Sequence, residues 1–266
     1  MTLLPIKNID EFKNEVKNAI DTLSLENPSF EKFISKLLLN GSLFVLGGFL
    51  RNIANNKKDS RDIDLISTHD TENIANILAG LDLSYSINRM EGIKLKCNNI
   101  KIDIWSISKN WSFERERVKW SLSMSYRRDV LIKKIADGSF FNFDSLVVDL
   151  KNYNCSVSNY NNCVETNTLD ILRKKGRYKY QNPTREANIL RAYFLSTRYG
   201  LKLSENTKTY IVKELNNIES LKAKNAVELI IDKSKEYIEK YHSTISEKEL
   251  SGFLASLRKN MGPLFE

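Results

Sequence analysis

Residues 43–51 read Leu-Phe-Val-Leu-Gly-Gly-Phe-Leu-Arg, an apolar run that is interrupted by Gly47 and Gly48. Four consecutive apolar residues closed by glycine predict a short buried strand, and Phe49–Ala54 predicts a helix that leaves it. Glycine has no Cβ and a helix N-terminus attracts anions, so this strand, turn and helix can bring backbone N–H groups to a phosphate. A tight turn without any ligand explains the same residues, and the pattern leaves both interpretations open.

The next predicted strand carries two acids. Asp62-Ile63-Asp64 begins an apolar run that ends at Ser67, and residues i and i+2 of a strand point to the same face. Two carboxylates that lie so close repel each other unless a cation separates them. Mg²⁺ commonly takes one or two protein carboxylates and completes its shell with water and substrate phosphates. Solvated acids at the end of an edge strand are the alternative explanation.

A third acid, Asp103, lies in the alternating segment Ile100–Ile107, which also predicts a strand. A solvent-facing aspartate would explain it equally well. However, the order of a glycine turn, paired acids and a third strand acid is typical of sites in which two metal ions bridge a triphosphate and an attacking hydroxyl.

Composition narrows the function classes. The 266 residues include 41 Lys and Arg against 33 Asp and Glu, a net charge of +8, so nucleic acid or nucleotide is the first partner class. Three cysteines and two histidines cannot build a Cys/His zinc cluster at these spacings. No apolar run approaches the roughly 20 residues of a membrane span, and no signal peptide is recognisable. We therefore expect a cytoplasmic protein without a membrane partner.

The pattern changes near residue 150. Up to Leu150 it is mixed α and β, with Asp70 as the predicted N-cap of a helix. The Asn-rich stretch Lys151–Asn167 predicts irregular structure, and the residues beyond it predict helices. The predicted fold class is α+β, with one domain over residues 1–150 and a helical domain over residues 151–266.

Two segments together resemble a known superfamily. Leu46–Asn52, followed by Lys58–Leu65, resembles the head-domain signature of the DNA polymerase β-like nucleotidyltransferases, and most of all its branch of CCA-adding enzymes and bacterial poly(A) polymerases. Tyr126–Asp129 is similar to the arginine-arginine-aspartate motif with which that branch binds the sugar and phosphates of a nucleotide. Gln181–Arg185 lies where the branch carries its base-reading motif. The resemblance implies a polymerase β-like head with a mixed sheet and flanking helices, followed by a helical neck and body.

The chain departs from the branch at defined positions. Asn52 stands where the branch usually has an aspartate, and Gln181-Asn182 replaces an adjacent Glu-Asp pair. Two acceptor-only carboxylates thereby become amides that both donate and accept hydrogen bonds. The selection of C and then A cannot be carried over to this chain.

The resemblance implies a reaction and a set of site residues. A nucleotide would be transferred from an NTP to an RNA 3′ end, with release of pyrophosphate. Asp62, Asp64 and Asp103 would be the catalytic residues and would hold two Mg²⁺ ions. The implied nucleotide-binding residues are Gly47, Gly48, Arg51, Arg127, Arg128, Asp129, Asn182 and Arg185.

A basic segment offers a surface for the acceptor. Residues 173–180 combine five positive charges with two tyrosines, a composition that suits RNA backbone contacts and base stacking. A solvated loop accounts for it equally well. The predicted RNA-binding residues are Arg173, Lys174, Lys175, Arg177 and Lys179.

Three functions follow from these features. The first is nucleotide transfer to a tRNA-like RNA. In one form of this hypothesis the chain acts as a toxin or defence protein and has a protein partner such as an antitoxin. The second is transfer to a small-molecule or protein hydroxyl, and the third is a non-catalytic RNA-binding module. The net charge of +8 favours RNA as the acceptor, and the presence of all three acids argues against a decayed enzyme.

Overall fold

The computed structural model of the protein describes residues 3–57, 62–109, 113, 128–172, 184–221, 226–233 and 246–261. The chain divides into two compact units, Leu4–Val164 and Glu165–Glu266, the second also including the first three residues. Among the described residues, no helix combines the length and apolar character that crossing a bilayer requires.

The first unit is built on a seven-stranded mixed sheet. Its strands lie in the order β3-β4-β5-β2-β1-β6-β7, and β2 and β5 are parallel while every other neighbouring pair is antiparallel. The strands are β1 (Leu43–Leu46), β2 (Asp62–Ser67), β3 (Tyr85–Ile87), β4 (Ile93–Cys97), β5 (Ile100–Ser106), β6 (Val147–Asp149) and β7 (Cys155–Ser156).

Helices accompany this sheet along the chain. They are α1 (Ile9–Glu26), α2 (Pro28–Leu39), α3 (Gly48–Ala54), α4 (Thr71–Ala79), α5 (Arg128–Asp137) and α6 (Ser158–Glu165). Asp70 caps α4 as predicted, because its Oδ1 accepts a hydrogen bond from the backbone N–H of Asn73 at 2.7 Å.

Alternation along the central strands gives the sheet two different faces. One face carries Val45, Ile63 and Ile102, which are at most 1% exposed. The other face carries Phe44 and Ile66, against which α5 packs with the apolar residues Leu131, Ile132, Ile135 and Ala136. We call the face under α5 the α5 face.

The irregular structure predicted for Lys151–Asn167 is wrong. Cys155–Ser156 forms β7 beside β6, and Ser158–Glu165 forms α6. Tyr160 and Cys163, three residues apart on α6, are completely buried. Their burial outweighs the weak helix propensity of the neighbouring asparagines, since packing regularly overrides propensity.

The second unit is helical apart from two short parallel strands. It contains β8 (Thr168–Leu169), α7 (Arg185–Tyr199), β9 (Lys202–Leu203), α8 (Glu205–Leu221), α9 (Ala226–Lys233) and α10 (Glu247–Met261). The side chain of Thr184 caps α7 by accepting from Ala187 N at 3.2 Å, and Gly200 ends the same helix in the left-handed conformation.

Candidate active site

The three predicted catalytic acids lie on the α5 face of two neighbouring parallel strands. Asp64 on β2 is directly paired with Asp103 on β5, and Asp62 lies two residues before Asp64 on the same face. Neighbouring strands lie about 4.8 Å apart, so the side chains of Asp64 and Asp103 project from the same face of the sheet at adjacent positions. All three acids are partly buried, so each keeps part of its surface exposed to solvent.

The glycine turn lies directly against this cluster. Leu46, the last residue of β1, is paired with Asp64, and Gly47 follows it with φ +75° and ψ −127°. A Cβ on Gly47 would lie 3.3 Å from Asp64 Oδ2. Two features therefore favour glycine at position 47. The backbone conformation is one that residues with a side chain disfavour, and a carboxylate lies close to where a Cβ would be.

The acids fit a magnesium ion by their chemistry. Within the described ranges, no group of three or more His, Cys, Asp and Glu side chains is gathered closely enough to form a metal site. Mg²⁺ needs fewer protein ligands than that, because one or two carboxylates suffice when water and phosphates complete its octahedral shell. The adjacent carboxylates of Asp64 and Asp103, with Asp62 on the same face, meet this requirement.

Arg51 is held beside the glycine turn by two contacts. Its guanidinium forms an ion pair with Asp144 and lies 4.9 Å from the centre of the Phe143 ring. A Cβ on Gly48 would lie 3.7 Å from Arg51 Nη2. The structure thus places this predicted phosphate partner next to the turn, where Asp144 partly balances its charge.

Arg128 and Asp129 begin α5. Arg128 Nη1 lies 3.5 Å from Oδ2 of Asp149, whose side chain is completely buried. Asp149 is paired with Phe44 on β1, so this ion pair lies on the α5 face. Phe44 is two residues from Leu46, the β1 residue that is paired with Asp64. Arg127, the third residue of the predicted motif, lies outside the described residues.

The pKa of Asp149 is raised, chiefly because burial disfavours its charged form. The hydrogen bond from Lys151 N to Oδ1 and the nearby charge of Arg128 act in the opposite direction but are smaller. Oδ2 accepts no hydrogen bond from the described residues. Asp149 is therefore a buried carboxyl group that binds a proton more tightly in the folded than in the unfolded state.

This shift predicts a pH dependence of stability. The contribution of Asp149 is fully present below the ordinary pKa of 3.8 and is lost as the pH rises through the higher folded-state pKa. In Asp149→Asn this loss disappears, so the wild type should lose unfolding free energy relative to the variant as the pH rises through that window. Urea unfolding of both proteins at a series of pH values measures the difference, and a difference independent of pH would contradict the prediction.

The remaining predicted residues fall in other places. Arg185 belongs to the second unit, where its Nη1 lies 3.8 Å from Oε2 of the completely buried Glu214. Asn182 and all five predicted RNA-binding residues lie outside the described residues: Arg173, Lys174, Lys175, Arg177 and Lys179.

Sequence reasoning missed the acids that hold the predicted arginines. Asp144, Asp149 and Glu214 pair with arginines that are distant in the chain, 93 residues apart in the case of Arg51 and Asp144. The signal for Asp149 was its position at the end of the apolar run Leu146–Val148, where an acid is unexpected. That signal identifies a special residue but not its partner.

The fold of the chain is similar to that of solved CCA-adding enzymes. A CCA-adding enzyme in complex with ATP matches with a TM-score of 0.60 and 14% identity, over 97% of this chain and 55% of that one. The Thermotoga maritima CCA-adding enzyme complexed with tRNA matches with a TM-score of 0.56 and 15% identity, over 85% and 48% of the two chains. A CCA-adding enzyme in complex with CTP matches with a TM-score of 0.57 and 16% identity, over 89% and 50%.

These matches confirm the predicted α+β fold class. The chain spans about half the length of the solved enzymes that it resembles. No protein-family model and no curated protein matches the sequence. Because the identities are only 14–16%, the likeness establishes the fold, and function has to be argued from the site.

Proposed function

We propose that the protein is a magnesium-dependent nucleotidyltransferase that adds a nucleotide from an NTP to the 3′ end of a tRNA-like RNA and releases pyrophosphate. The observation that carries the proposal is the direct pairing of Asp64 with Asp103, beside a glycine whose backbone lies against the Asp64 carboxylate. Solved CCA-adding enzymes of similar fold are complexes with ATP, CTP and tRNA, which supports the choice of substrates.

Each acid then has a role set by its place on the sheet. Asp62 and Asp64 would hold the cation that serves the nucleotide phosphates, and Asp103 with Asp64 would hold the one that serves the acceptor hydroxyl. When bound, Mg²⁺ would supply stabilisation of the negative charge that develops during displacement at the α-phosphate. The chain itself supplies position, because both strands are fixed in the centre of the sheet.

The glycine turn and the arginines are assigned to the nucleotide. Gly47 and Gly48 leave room for the triphosphate beside Asp64, and Arg51 lies next to them. Arg127, Arg128 and Asp129 are assigned to the sugar and phosphates. The base is assigned to Asn182 and Arg185. A regulated use of this transfer, as in a toxin with its antitoxin, stays a prediction.

One incubation separates the three functions considered for this chain. The protein is mixed with Mg²⁺, total RNA and each α-³²P-labelled NTP in turn, and the products are resolved on a denaturing gel. We expect label in RNA of tRNA size. Label in protein or in small molecules would instead support transfer to another hydroxyl, and the absence of label with every NTP would support a non-catalytic module.

A further inference from the structure

Three lysines share the α5 face with the catalytic acids. Lys94 on β4 is paired with Asp103, Lys101 on β5 is paired with Asp62, and Lys96 on β4 is paired with Lys101. All three lysines are exposed. We call Lys94, Lys96 and Lys101 the lysine band.

In the protein without a bound ligand, the positive charges of the lysine band repel each other. Lys96 and Lys101 lie directly opposite each other, and like charges in that relation destabilise a pair of strands. Among the described residues, none of the three ammonium groups forms a hydrogen bond or an ion pair, although Asp62 and Asp103 lie on the neighbouring positions. A polyanion bound across the band would remove this repulsion.

The order of the strands shows which polyanion the band can meet. Along β4-β5-β2-β1, the acids lie on β5 and β2, with the lysine band on one side and the Gly47 turn on the other. If the triphosphate occupies the glycine turn, the RNA that carries the attacking 3′ hydroxyl has to reach the acids from the opposite side. That side is formed by β4 and β5, where Asp103 lies between Lys94 and Asp64 and Lys101 is paired with Asp62.

We propose that the lysine band binds the phosphodiester backbone of the acceptor RNA close to its 3′ end. This inference rests on the proposed function and names the surface by which that site holds its acceptor. The band is separate in sequence from residues 173–180, and it lies in the same unit as the three acids.

Salt-dependent RNA binding tests the inference. The triple variant Lys94→Gln, Lys96→Gln and Lys101→Gln is compared with a control variant in which the exposed residues Lys7, Lys32 and Lys36 are changed to Gln, so both proteins lose three charges. Fluorescein-labelled single-stranded RNA is titrated without NTP or divalent cation. Three lost phosphate contacts should reduce the slope of log K against log salt by about 2, at about 0.7 per contact.

A wild-type slope in the band variant, or an equal loss in the control variant, would overturn the inference. It would also be overturned if the band variant bound RNA normally and lost affinity for ATP instead, because the band would then serve the nucleotide. A folding defect is tested by the single variant Lys96→Gln, whose thermal midpoint should not fall, since the substitution removes a like-charge pair.

The binding assay does not depend on catalysis. If transfer activity is found and RNA binding is unaffected by the band variant, the inference fails and the proposed function stands. If no transfer to RNA is found under any condition, the proposed function fails, and the role given to the band as an acceptor surface is overturned with it.

Discussion

Asp64→Asn is expected to abolish nucleotide transfer while the protein stays folded. Asp64 is paired with Asp103 across the strands, and its Oδ2 would lie 3.3 Å from a Cβ on Gly47. The amide keeps the size of the side chain but loses the negative charge with which the carboxylate would hold Mg²⁺. Metal-ion stabilisation of the transition state is worth several kcal/mol and each 1.36 kcal/mol is tenfold in rate, so we expect a loss of about a thousandfold or more.

The measurement is the initial rate of label incorporation into RNA at saturating NTP. Asp82→Asn is the matched control, because it makes the same chemical change at an exposed position with a φ of 53° that asparagine also tolerates. Circular dichroism and thermal unfolding confirm that both variants are folded. Wild-type rates in folded Asp64→Asn would contradict the assignment of the acids and the proposed function with it.

RNA binding by Asp64→Asn adds a second readout. Asp64 is assigned to the reaction and is not part of the lysine band, so the RNA affinity measured without divalent cation should stay at the wild-type value or rise slightly with the loss of a negative charge. A variant that loses transfer and RNA binding together would indicate a general structural change instead of a catalytic role.

The strands that carry the acids could be predicted from their own residues. Alternation of apolar and polar residues identifies Ile100–Ser106 as a strand and assigns Asp103 to its less buried side. No local pattern contains the register between β2 and β5, because β3 and β4 lie between them in the chain. The pairing of Asp64 with Asp103 is set by how the buried residues Leu65 and Ile104 align with each other in the core.

Long-range polar contacts were also beyond local sequence patterns. The ion pair between Arg51 and Asp144 depends on the 3₁₀ turn Asn142–Asp144, which brings the aspartate to Arg51 on α3. In the same way, α6 was missed because the side chain of Asn161 bonds to both the N–H and the carbonyl of Ile6, at 2.8 and 2.9 Å, across the unit. Such contacts stabilise a segment through a partner that the neighbouring sequence does not reveal.

Gly47→Ala is expected to reduce both stability and transfer. The alanine side chain disfavours φ +75° and ψ −127°, and strained backbone of this kind costs about 1–3 kcal/mol. Its Cβ would also lie 3.3 Å from Asp64 Oδ2, which is close enough to move the carboxylate. A displacement of about 1 Å near the reacting groups can cost about a hundredfold in rate, and a Cβ at 3.3 Å would move the carboxylate by only a few tenths of an ångström, so we expect a measurable loss that is smaller than a hundredfold.

Gly200→Ala separates strain from contact. Gly200 has a similar φ of +69°, but a Cβ there would meet no atom within 4 Å. Its substitution should lower the free energy of unfolding by about 1 kcal/mol, as left-handed backbone does for residues with a Cβ, and leave the transfer rate at the wild-type value. Equal losses of activity in the two variants, measured well below their unfolding midpoints, would show that reduced stability explains the effect and that the contact between Gly47 and Asp64 does not tune the site.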